Sequence, residues 1–566
     1  MGKPDSTLDT AASLGDLCAV NIHSLSSIFK PRLIRTHLQY QGTPACALYS
    51  RCNGTLRHAG MRYAMEIQPP INSQGFQTVS LIQEQRRRSD LLLFILLFIG
   101  MLGLVPGLVI AGAAIGFSFV LAILAVLIIT ALVIRWPIVG FFLVLGAALA
   151  IDQSPTDALG SSPTIYIFYW PSSLQGLPDR PVGFFMLFIL LLFVLHNLLK
   201  RQKMLRGGEL LLPFLLFLVW VVWGAVHGLS SGGNLQILVE EVRSFWYLFL
   251  GYLLAYNFIR KKQHVRFFVW LVILCAAIKA LQAVYIYLFV IHGDLASHHE
   301  IMAHEESYFW VSVLLLIILF SLHSKNRPQF FTALALVPFL LIALIANNRR
   351  ADFVALVVGL LVAWALIFNI KTHARKSLLV ILLVTTLLGG AYVAAFYNGT
   401  GGFSSPARAM VSVFHPDPTD AASNLYRDIE NYDLKYTVKL NPLGLGFGRP
   451  FLQPIPLPDL SSLDPVYNYI PHNTIYWVWM RLGPIGYLAL WYLFGAMIVR
   501  GSIIARKLND TYLQLIAIYI VAMVVMEIIV AYADYQLSFY RNVIYVGMLV
   551  GTLMRLPSIE AEVEKK

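Results

Sequence analysis

Long apolar runs alternate with short polar connections along the chain from about residue 91 to residue 556. An α-helix crosses a bilayer in roughly 20 apolar residues, and helices are favoured there because lipid offers open backbone groups no hydrogen-bond partner. The pattern therefore predicts an all-α polytopic bundle of about 12–14 transmembrane spans, with one long external loop between late spans. The predicted segments lie near residues 91–110, 112–134, 136–151, 182–199, 210–228, 237–258, 266–290, 308–323, 330–346, 353–370, 377–396, 474–498, 511–531 and 540–556.

The first three segments are less distinct than the others. Pro106-Gly107 and Trp136-Pro137 interrupt one long apolar block, which would also fit fewer spans together with a re-entrant hairpin. No internal repeat is evident in the sequence, and this weakens the alternative of a secondary transporter built from inverted repeats.

The composition is that of a membrane protein. The 566 residues are 58% hydrophobic and only 13% charged, which leaves too few charges to cover a soluble protein of this size. The net charge of +12 does not indicate nucleic-acid binding, since most lysines and arginines lie in short clusters between apolar runs. Four cysteines, Cys18, Cys46, Cys52 and Cys275, show neither metal-ligand spacing nor a disulfide framework.

Basic clusters predict the orientation of the bundle, because lysine and arginine are retained on the cytoplasmic side. The clusters that share one side when the spans alternate are residues 86–88, 200–206, 260–266, 324–327, 371–376 and 506–507. Both termini are then cytoplasmic. The long loop at 397–473 is then external.

Changes in composition divide the chain into six regions. Residues 1–85 lack apolar periodicity and a signal-peptide core. They are predicted to be disordered, or to be translated upstream sequence ahead of a true start at Met61 or Met65. The other regions are the N-terminal membrane segments (86–209), a central bundle (210–396), the external loop (397–473), the C-terminal membrane segments (474–556) and a cytoplasmic tail (557–566).

Several arginines break the positive-inside rule at the predicted external face. Arg349 and Arg350 stand in the short connection NNRRAD, Arg427 and Arg449 lie in the long loop, and Arg243 lies near the outer end of a span. A planar guanidinium binds phosphate oxygens in bidentate fashion. The cluster therefore favours a phosphate or pyrophosphate ligand.

Other charged residues of the spans have structural interpretations. Arg243 is as readily explained by an ion pair with the acidic residues at 240–241 as by a ligand. Arg481 and Glu527 lie toward the outer ends of adjacent spans and are predicted to form a structural ion pair. Lys279 is either part of a polar network or part of a ligand cavity.

Two short motifs resemble known ligand sites only in part. The run HHEIMAHEE (His298–Glu306) has the spacing HExxxH. That is one residue longer than the HExxH motif, which places two histidines on one helix face, so a solvated acidic loop is favoured over a metal site. GLGFG at 444–448 lies in the external loop rather than between a strand and a helix, as a dinucleotide site requires. The sequence therefore predicts neither a metal nor a cofactor.

The stretch PHNTIYWVWMRLGPIG at 471–486 places His472 and Asn473 at the outer mouth of a span, beside the long loop. Histidine has an unperturbed pKa of about 6.5 and suits a general base near neutral pH. The alternative is that His472 only caps the span that begins at Thr474.

Three elements in this order resemble the lipopolysaccharide O-antigen ligase and O-antigen polymerase superfamily. They are an outward arginine between mid-chain spans (NNRRADFVALVVGLL), a loop arginine upstream of a Pro-Leu-Gly turn (YRDIENYDLKYTVKLNPLGLGFG), and a histidine-asparagine pair that opens the next span (PHNTIYWVWMRLGPIGYLAL). The resemblance covers about residues 210–556 and is most specific over 345–490.

The resemblance implies a metal-independent glycosyltransferase of the bacterial inner membrane. Such an enzyme moves a glycan from a polyprenyl (undecaprenyl) pyrophosphate carrier to an acceptor hydroxyl at the outer face. It implies His472 as the base and Arg427 as a second catalytic residue. Arg349 or Arg350 would bind pyrophosphate, with Arg243 as a looser correspondence.

The sequence leaves the acceptor open among a lipid core, a carrier-linked glycan and a protein, because acceptor choice lies in variable loops. The expected partners are the lipid-linked donor, a lipid or glycan acceptor and membrane lipids, with no nucleic acid. A polysaccharide or lipid transporter or flippase is the alternative from a different class. It would predict charged residues near the bilayer midplane rather than at the outer face.

Overall fold

The computed structural model describes residues 117–152, 179–294, 301–321, 327–371, 375–399, 404–412, 418–458 and 465–564. Within these ranges the chain forms sixteen α-helices and no strand. The helices are α1 (Phe117–Arg135), α2 (Pro137–Ala150), α3 (Pro181–Leu199), α4 (Leu211–Ser230), α5 (Leu235–Phe258), α6 (Lys262–Tyr285), α7 (His304–Ser321), α8 (Arg327–Ala335), α9 (Val337–Asn347), α10 (Arg350–Ile370), α11 (Arg375–Phe396), α12 (Ser405–Val411), α13 (Pro418–Leu440), α14 (Thr474–Lys507), α15 (Thr511–Ala533) and α16 (Tyr540–Glu564).

Nine helices of the described part of the chain are long and apolar enough to cross a membrane. They are α3, α4, α6 with the π-helical turn that follows it, α7, α10, α11, α14, α15 and α16. A tenth span results if α8 and α9, which are bent by 46°, are counted together, and α1 and α2 provide shorter apolar helices. The prediction of an all-α polytopic bundle is confirmed.

The predicted segments from 112–134 to 540–556 all overlap helices of the structure. The segment 91–110 and the tail 1–85 lie outside the described residues. Two helices run further than expected, because α14 continues to Lys507 and α16 to Glu564, through most of the predicted C-terminal tail.

Helices α5 and α16 lie against each other through glycines. A side chain at Gly547 would meet the carbonyl oxygen of Leu248, and one at Gly551 would meet that of Tyr252. Small residues let helices approach closely where lipid supplies no hydrophobic driving force. This contact brings the start of α16 beside the start of α5.

Helix α14 is interrupted by Gly483, which has a φ of 67°, and by Pro484. Proline has no N–H, so the carbonyl of Met480, four residues earlier, loses its helical partner. The backbone N–H of Leu445 donates to that carbonyl at 2.6 Å. The loop 442–448 is therefore fixed to α14 at the place where the helix is broken.

Arg481 holds the same loop from inside the bundle. Its guanidinium pairs with Glu241 of α5 at 2.6 Å and donates to the carbonyl of Gly446 at 2.9 Å and to that of Tyr469 at 2.7 Å. The predicted ion pair between Arg481 and Glu527 is therefore wrong. Sequence spacing placed both residues near the same face, but the fold brings Glu241 to Arg481.

One end of the bundle, here called the loop face, carries α12, α13 and loop 442–448. Helices α5, α7, α10, α14 and α16 begin at this face, and α4, α9, α11 and α15 end there. The candidate site lies at this face.

Candidate active site

His472 stands directly before α14 and is held by Glu430 of α13. Its backbone N–H donates to Oε2 of Glu430 at 2.9 Å, and its Nδ1 lies 3.2 Å from each carboxylate oxygen. The rings of Tyr535 and Tyr426 pack against the imidazole, with centroids 4.3 and 5.5 Å away. A carboxylate at Nδ1 fixes the orientation of the ring, so Nε2 is the nitrogen that remains for proton transfer.

Asn473, rather than His472, caps α14. Its side-chain oxygen accepts a hydrogen bond from the backbone N–H of Tyr476 at 3.0 Å. The histidine side chain makes no cap hydrogen bond, so capping does not account for the imidazole.

Asp534, the residue after α15, forms the centre of a group of charged side chains. His304 at the start of α7 places Nδ1 3.3 Å from Oδ2 of Asp534. Burial alone would raise the pKa of the Asp534 carboxyl, but the neighbouring His304, Arg349 and His472 hold that pKa well below its usual range. Asp534 is therefore an ionised, buried carboxylate that links α7, α10 and the start of α14.

Arg349 and Arg350 point to different surroundings, although they are neighbours in sequence. Arg349 precedes α10 and interacts electrostatically with Asp534 and Arg427. The pKa of Arg349 is lowered, mainly because the side chain is buried. The nearby Arg427 also lowers this pKa, whereas Asp534 raises it. Arg350 donates to the hydroxyl of Ser412 at 3.4 Å and to the side-chain oxygen of Asn424 at 3.3 Å.

Arg427 extends from α13 one turn before Glu430 and interacts with Arg349 and His304. Its Nε is buried and forms no hydrogen bond with the residues that the structure describes. Two guanidinium groups that repel each other in a partly buried place are stabilised by an anion between them. This part of the site therefore suits a multiply charged anion.

Arg243 belongs to a second group of charged residues on α5. Its guanidinium lies 3.1 Å from Asp179 and pairs with Glu240, and it donates to the hydroxyl of Tyr540 at 3.0 Å. Arg180 pairs with the other oxygen of Glu240 at 2.5 Å. The structure thus contains the ion pair between Arg243 and Glu240, which was one of the two interpretations of Arg243 from the sequence.

The run that contains His298 and His304 is only partly described, since residues 295–300 lie outside the described ranges. Among the described residues, no group of three histidine, cysteine or acidic side chains lies close enough to hold a metal ion. His304 contacts Asp534 and packs edge-on to Phe539. It is therefore part of the charged group around Asp534.

Lys279 is part of a buried polar network. Its ammonium lies 2.9 Å from Asp152 and 3.3 Å from Glu306, and Arg541 lies 2.7 Å from the same Glu306 and 3.1 Å from Glu305. The network fixes the first turn of α7, directly beneath His304. Of the two interpretations left open by the sequence, the network is the one that the contacts favour.

Three residues of the site were not found from the sequence: Glu430, Asp534 and His304. Glu430 stands one helical turn after Arg427, a spacing that would have placed both on one side of a helix. His304 was considered only as a metal ligand. Asp534 carried no local signal, because its partners lie far away along the chain.

Part of the chain matches a known family model. Residues 334–492 match the family model described as O-antigen ligase. This match confirms the resemblance to the O-antigen ligase and polymerase superfamily. No curated protein matches the chain.

The matched region begins in α8 and ends within α14. It includes Arg349, Arg350, Arg427 and His472, whereas Arg243 lies before it. The match supports a multi-pass membrane enzyme of the O-antigen ligase and polymerase type, whose family indicates lipid-linked glycan substrates.

Proposed function

We propose that this protein transfers a glycan from a polyprenyl pyrophosphate carrier to an acceptor hydroxyl at the outer face of the inner membrane. The observation that carries the proposal is the convergence of His472, Arg349 and Arg427. They come from the start of α14, the start of α10 and the middle of α13. His472 and Arg349 interact with the buried carboxylate of Asp534, and Arg427 interacts with Arg349 and His304. A base beside two cations is what transfer from a pyrophosphate requires.

His472 is the general base in this proposal. The acceptor oxygen attacks the anomeric carbon of the glycan and its proton passes to Nε2 of His472. The bond from that carbon to the pyrophosphate oxygen breaks, and its electron pair leaves with the carrier pyrophosphate. Glu430 at Nδ1 stabilises the imidazolium that forms.

Arg349 and Arg427 would bind the pyrophosphate in the same step. Negative charge is present on the carrier before the reaction and increases on the leaving oxygen as the bond breaks. Guanidinium groups placed at that position therefore stabilise the transition state more than the bound substrate. Because pyrophosphate is already a good leaving group, the reaction needs no nucleotide.

The same residues would serve a ligase, whose acceptor is a lipid core, and a polymerase, whose acceptor is a carrier-linked glycan. We favour the ligase, because the matched family model is described as O-antigen ligase. The acceptor offered in the assay distinguishes the two.

The test is transfer by the purified protein in liposomes, with an undecaprenyl pyrophosphate-linked glycan and either a lipid-core acceptor or a second carrier-linked glycan. Nucleotide is omitted and a chelator is present. We expect a covalent product with the lipid-core acceptor and a loss of about 10²–10⁴ in rate for His472→Ala. Movement of the glycan across the bilayer without a covalent product would contradict the proposal and favour a transporter.

A further inference from the structure

The outward side of α13 carries an apolar stripe. Leu425, Tyr432, Tyr436 and Leu440 are separated by steps of seven, four and four residues, so they fall on one side of the helix. All four are exposed, Leu425 to 61% and Leu440 to 55%. The adjoining side of the helix is buried, and its residues include Glu430, Asp433, Leu434 and Thr437. One side of α13 therefore packs against the protein, while the apolar stripe is left exposed. An exposed apolar surface of this kind marks a contact with a partner or a membrane.

The C-terminal end of α13 is held at a defined depth along α14. The loop that follows it is bonded to α14 at Met480 and packs on Gly483, and Leu443 in this loop is 75% exposed. From Gly483 to Arg500, α14 carries no charged residue. This distance is about 26 Å at about 1.5 Å per residue, close to the hydrocarbon thickness of a bilayer. Leu440 and Leu443 therefore stand at the edge of the hydrocarbon region on the loop face.

Two lysines lie along one edge of the stripe. Lys435 and Lys439 are exposed, and the ammonium of Lys435 lies 5.9 Å from the ring centroid of Tyr476 on α14. Tyrosines are enriched at the level of lipid headgroups, and lysines beside an apolar helix side attract anionic headgroups. The apolar stripe, the depth of the end of α13 and the two lysines thus all fit contact with a lipid surface.

We propose that α13 is an interfacial helix, whose outward side lies in the headgroup region of the leaflet at the loop face. Leu440 and Leu443 contact the upper acyl chains, Tyr432 and Tyr436 lie among the headgroups, and Lys435 and Lys439 bind headgroup phosphates. The inward side of the same helix carries Arg427 and Glu430. Contact with the membrane surface would therefore help to position these two residues of the candidate site. The inference does not depend on glycan transfer being the activity.

The test is fluorescence quenching in liposomes that contain brominated phosphatidylglycerol. A bimane label is placed at Leu440→Cys or Tyr436→Cys, in the full chain with Cys18, Cys46 and Cys52 replaced by serine; Cys275 is buried. The matched control is Ser423→Cys, an exposed position of the same helix on the side away from the stripe.

We expect brominated lipid to quench the label at 440 strongly, the label at 436 less and the label at 423 least, with aqueous iodide giving the reverse order. If iodide quenches 436 and 440 as well as 423, the stripe faces water and the proposal is wrong. Cross-linking of Leu440→Cys between two copies of the chain would also overturn it, in favour of a contact between protomers. The two labelled positions keep the test decisive if one variant fails to fold.

Discussion

Two adjacent arginines at the start of α10 have the same chemistry and different surroundings. Arg349 reaches the charged group around Asp534, whereas Arg350 donates to Ser412 and Asn424. One residue of helix rotation turns a side chain by about 100°, so neighbours at a helix start rarely share a site. This difference gives a matched pair of variants.

We expect Arg349→Ala to weaken donor binding and to slow transfer at saturating donor, because it removes a charge that contacts the pyrophosphate in both ground and transition states. Arg350→Ala should change both quantities less. The measurements are the donor Kd and the single-turnover transfer rate of each purified variant. Equal effects of the two substitutions would contradict the assignment of Arg349.

The contact between Glu430 and His472 gives a second, graded pair of variants. In the proposed mechanism the carboxylate orients the imidazole at Nδ1 but does not itself take the acceptor proton. Glu430→Gln should slow transfer by less than the about 10²–10⁴-fold expected for His472→Ala. Equal losses of the single-turnover rate in the two variants would contradict this division of roles.

At the residue scale, the sequence drew attention to side chains that break a composition rule. Arg427 and His472 stood out because charged and titratable residues are uncommon at an external face and a span mouth. Glu430 and Asp534 did not stand out, because an acidic residue in an external segment is ordinary. Only the fold brings Glu430, 42 residues earlier, to His472.

At the level of elements, the break in α14 and the inserted loop depend on each other. Pro484 frees a carbonyl that Leu445 occupies, and Gly446 approaches the backbone of Gly228 so closely that no side chain fits. The sequence showed a Pro-Leu-Gly turn here as one element of the family resemblance, and its position in the loop argued against a dinucleotide site. It did not predict that the turn inserts between α4 and α14, because that contact joins segments more than 200 residues apart.

Gly446 has a φ of 79°, so Gly446→Ala adds backbone strain of about 1–3 kcal/mol as well as a collision with Gly228. We expect a lower midpoint of thermal unfolding in detergent and reduced transfer. The control is Gly495→Ala on α14, where an added methyl group meets nothing within 4 Å. Helix propensity favours that change by up to about 1 kcal/mol. Similar midpoints for the two variants would show that the loop is not held as described.

At the scale of the whole molecule, the basic clusters predict which face is external. The loop face carries His472 and the arginines, and α14 ends at the opposite face with Arg506 and Lys507. The positive-inside rule places that opposite face in the cytoplasm. The span pattern was predictable because apolar length alone determines it, whereas the helix order around the site required the packing of α5, α15 and α16.

The orientation is testable by cysteine labelling in intact cells with permeabilised outer membranes. We expect Asp428→Cys, exposed on α13, to react with a membrane-impermeant thiol reagent. Arg506→Cys, exposed at the other end of α14, should react only after the inner membrane is opened. The reverse pattern would place the candidate site in the cytoplasm and remove the basis for a reaction without nucleotide.

The most direct test compares His472→Ala with Arg427→Ala in one single-turnover experiment at several donor concentrations. We expect His472→Ala to bind the pyrophosphate-linked donor with near wild-type affinity and to transfer the glycan about 10²–10⁴-fold more slowly. Arg427→Ala should lose both affinity and rate, and Arg427→Lys should restore little, because an ammonium cannot replace the planar guanidinium. If His472→Ala transfers glycan at the wild-type rate, the base is another residue. If both variants bind and transfer normally, the site lies elsewhere on the molecule.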